Sequence, residues 1–178
     1  GAVGANVCQI AKQMGCRVVG SVGSDEKAQW LKRDCGVDEV INYKTCGDLT
    51  KALSDAAPDG VDVYFENVGG DHLQAALNVM NHFGRIVACG MIGTYNNTEP
   101  KPGPNNLMLI VGKKVRINGF IVFDHNDMRS QFLSDMESWI KNENLVVRET
   151  IVEGLENSVD AFLALFSGEN FGKMIVKL

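Results

Sequence analysis

The sequence predicts an α/β fold built on a doubly wound parallel sheet. Amphipathic stretches of helical period alternate with short β-branched runs along the whole chain. Gly15, Gly36 and the turn Pro58-Asp59-Gly60 punctuate the helical stretches. Strand–helix alternation at this spacing implies right-handed crossovers, and hence a parallel sheet with helices on both faces.

The elements follow in order. In residues 2–14 the apolar positions Val3, Val7, Ile10, Ala11 and Met14 lie on one helix face, and Gly15 breaks the pattern. Residues 17–22 read as a buried strand. Ser24 or Asp25 caps the next helix, which runs to Cys35 before Gly36 ends it. Val40-Ile41 is a short strand, and a polar helix covers 48–57 ahead of the Pro-Asp-Gly turn. Residues 61–66 form a strand, 71–80 a helix and 85–88 another strand. Residues 91–106 hold three of the 4 prolines and form one long irregular segment, a class of loop that usually serves function. Residues 115–123 alternate apolar and small side chains and predict an edge strand, a surface for pairing with a second subunit. Helices over 127–142 and 155–167 and a strand over 174–177 complete the chain.

Composition excludes several classes. The 178 residues are 45% hydrophobic and 22% charged, which is ordinary globular usage. A net charge of −5 argues against a nucleic-acid surface, which needs clustered Lys and Arg. No apolar run approaches the roughly 20 residues of a membrane helix. Cys8, Cys16, Cys35, Cys46 and Cys89 are odd in number and irregularly spaced, without a C-x-x-C pair. His72, His82 and His125 lack metal-ligand spacing. The expectation is a cytoplasmic, reducing setting with no metal. The sequence starts at Gly1 without Met, hydrophobic leader or preceding strand, and reads as a piece of a longer protein.

Ligands of such sheets bind at the carboxyl ends of the strands, which directs attention to loops 22–27, 42–45, 66–71, 89–106 and 120–126. Gly1-Ala2-Val3-Gly4 opens the first helix, where bare backbone N–H groups and the helix dipole favour a pyrophosphate. Short glycine pairs of this kind also serve as packing or capping residues. The second strand ends Val22-Gly23-Ser24 with no carboxylate at its tip. Two readings stand there: Lys27 meets a 2′-phosphate, or Lys27 is a solvated first-turn lysine and Asp25 or Glu26 holds a ribose hydroxyl. Asn67, ahead of Gly69-Gly70, either bonds a ribose or makes an Asx turn. Tyr95, in the small, flexible run that starts at Cys89, either donates to a substrate carbonyl or packs.

Taken together, GAVG, VVGSVGSDEK, INYK, FENVGG, ACGMIGTYNN, GFIVFD and GENFGKMIVKL run collinearly from Gly1 to Leu178. They resemble the zinc-independent medium-chain dehydrogenase/reductase superfamily, most closely its leukotriene B4 dehydrogenase, prostaglandin reductase and curcumin reductase branch. The resemblance implies a Rossmann-type doubly wound sheet that lacks the N-terminal GroES-like domain and the first Rossmann strand. Residues 1–150 would be the NADP(H)-binding domain, and 151–178 a helix and strand returning towards the absent domain.

Residue by residue, the resemblance puts the pyrophosphate over Gly1, Ala2, Val3 and Gly4 and the 2′-phosphate on Lys27 and Tyr43. It puts Asn67 at the cofactor ribose. Cys89, Gly90, Ile92, Gly93, Thr94 and Tyr95 would line the nicotinamide half, Phe120, Ile121 and Val122 would flank the ring, and Asn170 would lie near its end. The chain departs from the branch at Gly93, which stands where Ser precedes Thr-Tyr-Asn. The implied reaction is NADPH-dependent reduction of the activated C=C bond of an enal or enone, by hydride transfer to the β-carbon. The developing enolate needs a hydrogen-bond donor, for which Tyr95 is the candidate. The implied assembly is a homodimer through the cofactor domain, and this piece alone is expected to be inactive. An NADPH:quinone oxidoreductase and a non-catalytic NADP(H)-binding module are the competing readings.

Overall fold

Fourteen regular elements follow one another in the computed structural model, which describes residues 1–142 and 144–178. They are α1 (Ala2–Gln13), β1 (Val19–Val22), α2 (Asp25–Arg33), β2 (Glu39–Asn42), α3 (Leu49–Ala56), β3 (Val61–Glu66), α4 (Gly70–Val79) and β4 (Met80–Ala88). After a long loop come α5 (Met108–Lys113), β5 (Arg116–Gly119), α6 (Arg129–Lys141), β6 (Glu149–Glu153), α7 (Ser158–Ser167) and β7 (Lys173–Lys177). Every strand pair is parallel, as the alternation predicts. The chain divides into two units: Gly1–Lys44 with Gln131–Leu178, and Thr45–Ser130.

In the first unit β1 pairs with β2 from Val19 opposite Glu39 to Val22 opposite Asn42, so the two carboxyl ends finish side by side. The Ser24 hydroxyl oxygen accepts the Lys27 N–H at 3.3 Å and starts α2 directly after β1. Asp25 and Glu26 occupy the first turn of α2 and Lys32 and Arg33 the last, matching its dipole. Val18, Trp30, Leu31, Cys35 and Val37 bury against Ala5 of α1, and burial pushes the Cys35 thiol up to about 12. Phe171 meets Trp30 edge-on at 5.3 Å, while the Arg148 guanidinium lies 3.5 Å over the Phe171 ring. Gln9, only 2% exposed, satisfies its amide twice on Val146: it accepts the backbone N–H at 2.7 Å and donates to the carbonyl at 3.1 Å. β6 and β7 pair from Glu149 opposite Lys173 to Glu153 opposite Lys177, joined through α7.

The second unit is a sheet of order β3-β4-β5. Leu73 and Leu77 of α4 pack on Met80, Ile86 and Val115. Leu77 is fully buried, so Leu77→Ala removes a side chain that water never reaches and leaves a cavity. The expected loss is about 2–5 kcal/mol, read as a lower urea midpoint at unchanged slope.

The structure departs from the sequence reading at four places. The strand expected over 115–123 shortens to β5, because β4 ends at Ala88 opposite Gly119. Beyond that point Phe120 still donates to the Ala88 carbonyl at 3.4 Å, and Val122–Met128 then coils into two 3-10 turns kinked at His125. β5 is the edge of its sheet, with all four residues exposed. Helix α5, inside a stretch without a sequence signal, has only 6 residues, too few for an amphipathic period to show. Strand β6 is new as well, and rests on the β-branched run Thr150-Ile151-Val152. β4 begins at Met80 rather than Arg85, but its register shifts before Arg85, and Phe83 there takes a positive φ of 62°. Among the described residues no helix is long and apolar enough to cross a membrane.

Candidate functional site

The residues singled out by the sequence fall into two groups, one in each unit. Gly1, Ala2, Val3, Gly4, Lys27, Tyr43 and Asn170 belong to the first; Asn67, Cys89, Gly90, Ile92, Gly93, Thr94, Tyr95, Phe120, Ile121 and Val122 belong to the second.

In the first unit α1 opens at Gly1 with no side-chain cap and no acidic residue in its first turn. The leading N–H groups of a helix have no intrahelical acceptor, so this end is a donor array. A Cβ placed on Gly4 would meet nothing within 4 Å, and one on Gly1 would lie 4.0 Å from the amide nitrogen of Asn170. Asn170 in turn donates to the Gly172 carbonyl at 2.8 Å, which fixes its side chain beside the start of α1. Gly172 has a φ of +68°, and a Cβ there would overlap the Arg148 carbonyl, so the turn holding Asn170 requires glycine.

The adjoining tips of β1 and β2 gather basic and hydroxyl groups. A Cβ on Gly23 would stand 2.9 Å from the Tyr43 Oη and 3.2 Å from the Lys44 Cε; the phenol and the lysine stem thus lie across the bare backbone. Lys27 Nζ donates to the carbonyl of Gly168, the left-handed cap of α7, at 2.5 Å. Burial, and then the neighbouring Lys44 ammonium, hold the Lys27 ammonium below the usual lysine range. Each nearby carboxylate has a partner, and Glu26 also acts on the Lys27 ammonium. Asp25 Oδ1 accepts the Asn42 amide at 2.7 Å, and a Glu26 oxygen lies 3.7 Å from an Arg148 nitrogen.

In the second unit Glu66 organises two strand tips. Its side chain is fully buried, and Oε1 accepts the N–H groups of Val68 at 2.6 Å and Gly69 at 2.8 Å. Its backbone carbonyl accepts those of Cys89 at 2.9 Å and Gly90 at 3.2 Å. Ile92 then donates to the Asn67 carbonyl at 3.1 Å and Gly93 to the Val68 carbonyl at 2.9 Å. The loops after β3 and β4 are laced together, and a Cβ on Gly93 would press within 2.8 Å of the Val68 carbonyl.

The lacing brings two polar groups over Gly90. A Cβ there would stand 2.9 Å from Asn67 Oδ1 and 3.0 Å from Tyr95 Oη. Tyr95 follows the 3-10 turn Ile92–Thr94, in which Thr94 Oγ1 donates to the Met91 carbonyl at 2.8 Å. The phenol oxygen accepts the Met91 N–H at 3.4 Å, so its own O–H is not spent in that bond, and the residue is 62% exposed. Phe120 sets its ring edge-on to Phe65 at 6.3 Å and to His125 at 5.8 Å. Cys89, Gly90 and Met91 face Phe120, Ile121 and Asp124 across an open cleft of about 410 Å³; Asn67, Ile92, Gly93, Thr94, Tyr95 and Val122 do not line it. Sequence pattern alone does not reveal Lys44, Glu66 or Asp124. They sit inside the motifs INYK, FENVGG and GFIVFD, but their contacts depend on strand register and loop lacing.

A family model described as zinc-binding dehydrogenase matches residues 2–138. The chain belongs to the zinc-binding dehydrogenase family. Within it, the relatives are those of the reductase branch that the motifs resemble. A 2-alkenal reductase (NADP(+)-dependent) of Nicotiana tabacum is 47% identical over 176 residues, covering 99% of this chain and 51% of the relative. Prostaglandin reductase 1 of Bos taurus is 46% identical over 179 residues, covering 99% and 54%. The crystal structure of CurA in complex with NADPH from Vibrio vulnificus superposes with a TM-score of 0.92 at 41% identity, over 99% of this chain and 54% of that one. The fold is therefore Rossmann-like, and the chain spans about half the length of the curated relatives it matches. The family's description implies zinc. Among the described residues no group of three or more His, Cys, Asp or Glu side chains is placed to hold a metal ion, so those residues do not fit one.

Proposed function

We propose that this chain is the NADP(H)-binding part of an NADPH-dependent reductase of activated C=C bonds in α,β-unsaturated aldehydes and ketones. Residues 1–150 form the cofactor-binding domain, and 151–178 return towards a substrate domain. The enzyme acts in the cytoplasm as a homodimer, for which β5, an exposed edge strand, offers the pairing surface. The relatives' names, a 2-alkenal reductase and a prostaglandin reductase among them, support the reaction class, and the NADPH complex of CurA supports the cofactor.

The tip of β1 is the observation that carries the reading. An NAD site there needs a free carboxylate for the ribose hydroxyls, whereas Asp25 is bonded to Asn42 and Glu26 faces Arg148. Tyr43 and Lys44 instead lie over the bare Gly23, and the Lys27 ammonium is near enough to feel the Lys44 charge, which fits a 2′-phosphate. The uncapped start of α1, with open space at Gly4, fits the pyrophosphate.

NADPH, when bound, supplies the hydride for the β-carbon of the substrate. Asn67 bonds the cofactor ribose, and Asn170 lies at the nicotinamide end. Cys89, Gly90, Ile92, Gly93 and Thr94 border the nicotinamide half, and Phe120, Ile121 and Val122 provide its apolar wall. Tyr95 donates its phenolic hydrogen to the substrate carbonyl, where negative charge accumulates in the transition state. The Met91 N–H meets the phenol oxygen at 3.4 Å as a donor, so the hydroxyl hydrogen is left for the substrate.

The test is turnover by the full-length protein. With NADPH and a simple 2-alkenal, the cofactor absorbance falls and the saturated aldehyde accumulates in equal amount. Oxidation of NADPH by quinones alone, or by no acceptor of either class, would contradict the proposed reaction.

A further inference from the structure

We propose that Lys44 is the second cation of the phosphate cradle and, with Lys27, sets the preference for NADPH over NADH. This rests on the NADP(H) reading above and adds to it a residue that the sequence pattern leaves unassigned.

The placement begins with strand register. Val22 lies opposite Asn42, so Gly23 and Tyr43-Lys44 leave their strands at the same level. Asn42 then fixes the exit of β2, because its Oδ1 accepts the Lys44 N–H at 3.1 Å while its amide is anchored on Asp25. From that start the Lys44 stem runs across Gly23, its Cε 3.2 Å from where a Cβ would be. Any larger residue at 23 would push the stem away. Glycine here thus keeps two side chains, the Tyr43 phenol and the Lys44 stem, folded over one point.

Charge supplies the second argument. Lys12, Lys32, Lys51, Lys141 and Lys177 each bind a carboxylate. Among the described residues Lys27 and Lys44 form no such ion pair, nor do Lys101, Lys113, Lys114 and Lys173; what sets the two apart is that Lys44 is near enough to depress Lys27. The Lys27 ammonium donates to a neutral carbonyl. The Glu26 carboxylate offsets the repulsion between the two cations only in part, and a phosphate monoester carrying close to two negative charges relieves it at both. NADH, with a hydroxyl in that place, cannot. Lys44 therefore discriminates between the cofactors without touching what they share.

The experiment is fluorescence titration of the protein and its Lys44→Gln and Lys44→Arg variants with NADPH and with NADH, NADH binding serving as the control for folding. The expected result is a loss of about five- to tenfold in NADPH affinity for Lys44→Gln, the scale of one charge-assisted contact at a partly exposed site. NADH affinity stays unchanged, and Lys44→Arg retains most of the NADPH preference. If the unsubstituted protein prefers NADPH and Lys44→Gln keeps the whole preference, Lys44 is not part of the cradle, although the cofactor reading stands. An equal loss for both cofactors would assign Lys44 a structural role and overturn the proposal. No preference in the unsubstituted protein would overturn the cofactor reading, and this proposal with it.

Discussion

Lys27→Ala is expected to weaken NADPH binding by about ten- to a hundredfold and to leave NADH binding where it was. A hydrogen bond to a charged group contributes about 1.5–3 kcal/mol, and each 1.4 kcal/mol is about tenfold in affinity. Lys27 is partly exposed, so water screens part of the charge it offers, and the effect stays within that range rather than at its top. Its competing partner, the Gly168 carbonyl, is neutral and is exchanged for an anion. Ser24 still caps α2 through the backbone of residue 27, so the helix start survives the substitution. Titration with both cofactors checks this. A parallel loss for NADPH and NADH would mean that Lys27 supports the fold rather than the phosphate.

The second large effect concerns Tyr95. In the full-length enzyme Tyr95→Phe is expected to lower kcat by roughly 10²–10³, the range seen when one donor to a developing oxyanion is removed, with NADPH affinity unchanged. The ring stays, so the loop after β4 keeps its packing; the bond lost with the oxygen is the 3.4 Å contact from Met91 N–H, which is long and weak. An unchanged kcat would transfer the role of donor to the cofactor's own ribose hydroxyl or to water.

How much of this was legible in the sequence depended on whether a feature is local. The strands ending at Val22, Glu66 and Ala88 announce themselves through β-branched runs closed by glycine and polar residues, and their carboxyl ends mark the loops that matter. The run Phe120-Ile121-Val122 reads as more strand by composition, yet pairing stops because β4 has no residue left to offer after Ala88, a non-local fact. Helix α5 and strand β6 are too short to be told from loop by period. Asn67 and Tyr95 stand out as polar residues in glycine-rich loops. Their meeting over Gly90 depends on Glu66, whose carboxylate and carbonyl hold both loops and which looks in sequence like the polar end of a strand. Lys44 is hidden for a similar reason: a lysine after a strand is ordinary, and only the register of β1 against β2 carries it across Gly23. Functional assignments for individual residues came from the collinear motifs and not from any one spacing.

The central claim is that the tips of β1 and β2 hold a 2′-phosphate, and the most direct measurement is the dissociation constant of the unsubstituted protein for NADPH beside that for NADH. Lys27, Tyr43 and the engaged carboxylates of Asp25 and Glu26 together predict that NADPH binds at least about tenfold more tightly, the value of one charge-assisted contact. Equal affinity, or tighter binding of NADH, would contradict the account and return the ribose to a carboxylate at residue 25 or 26.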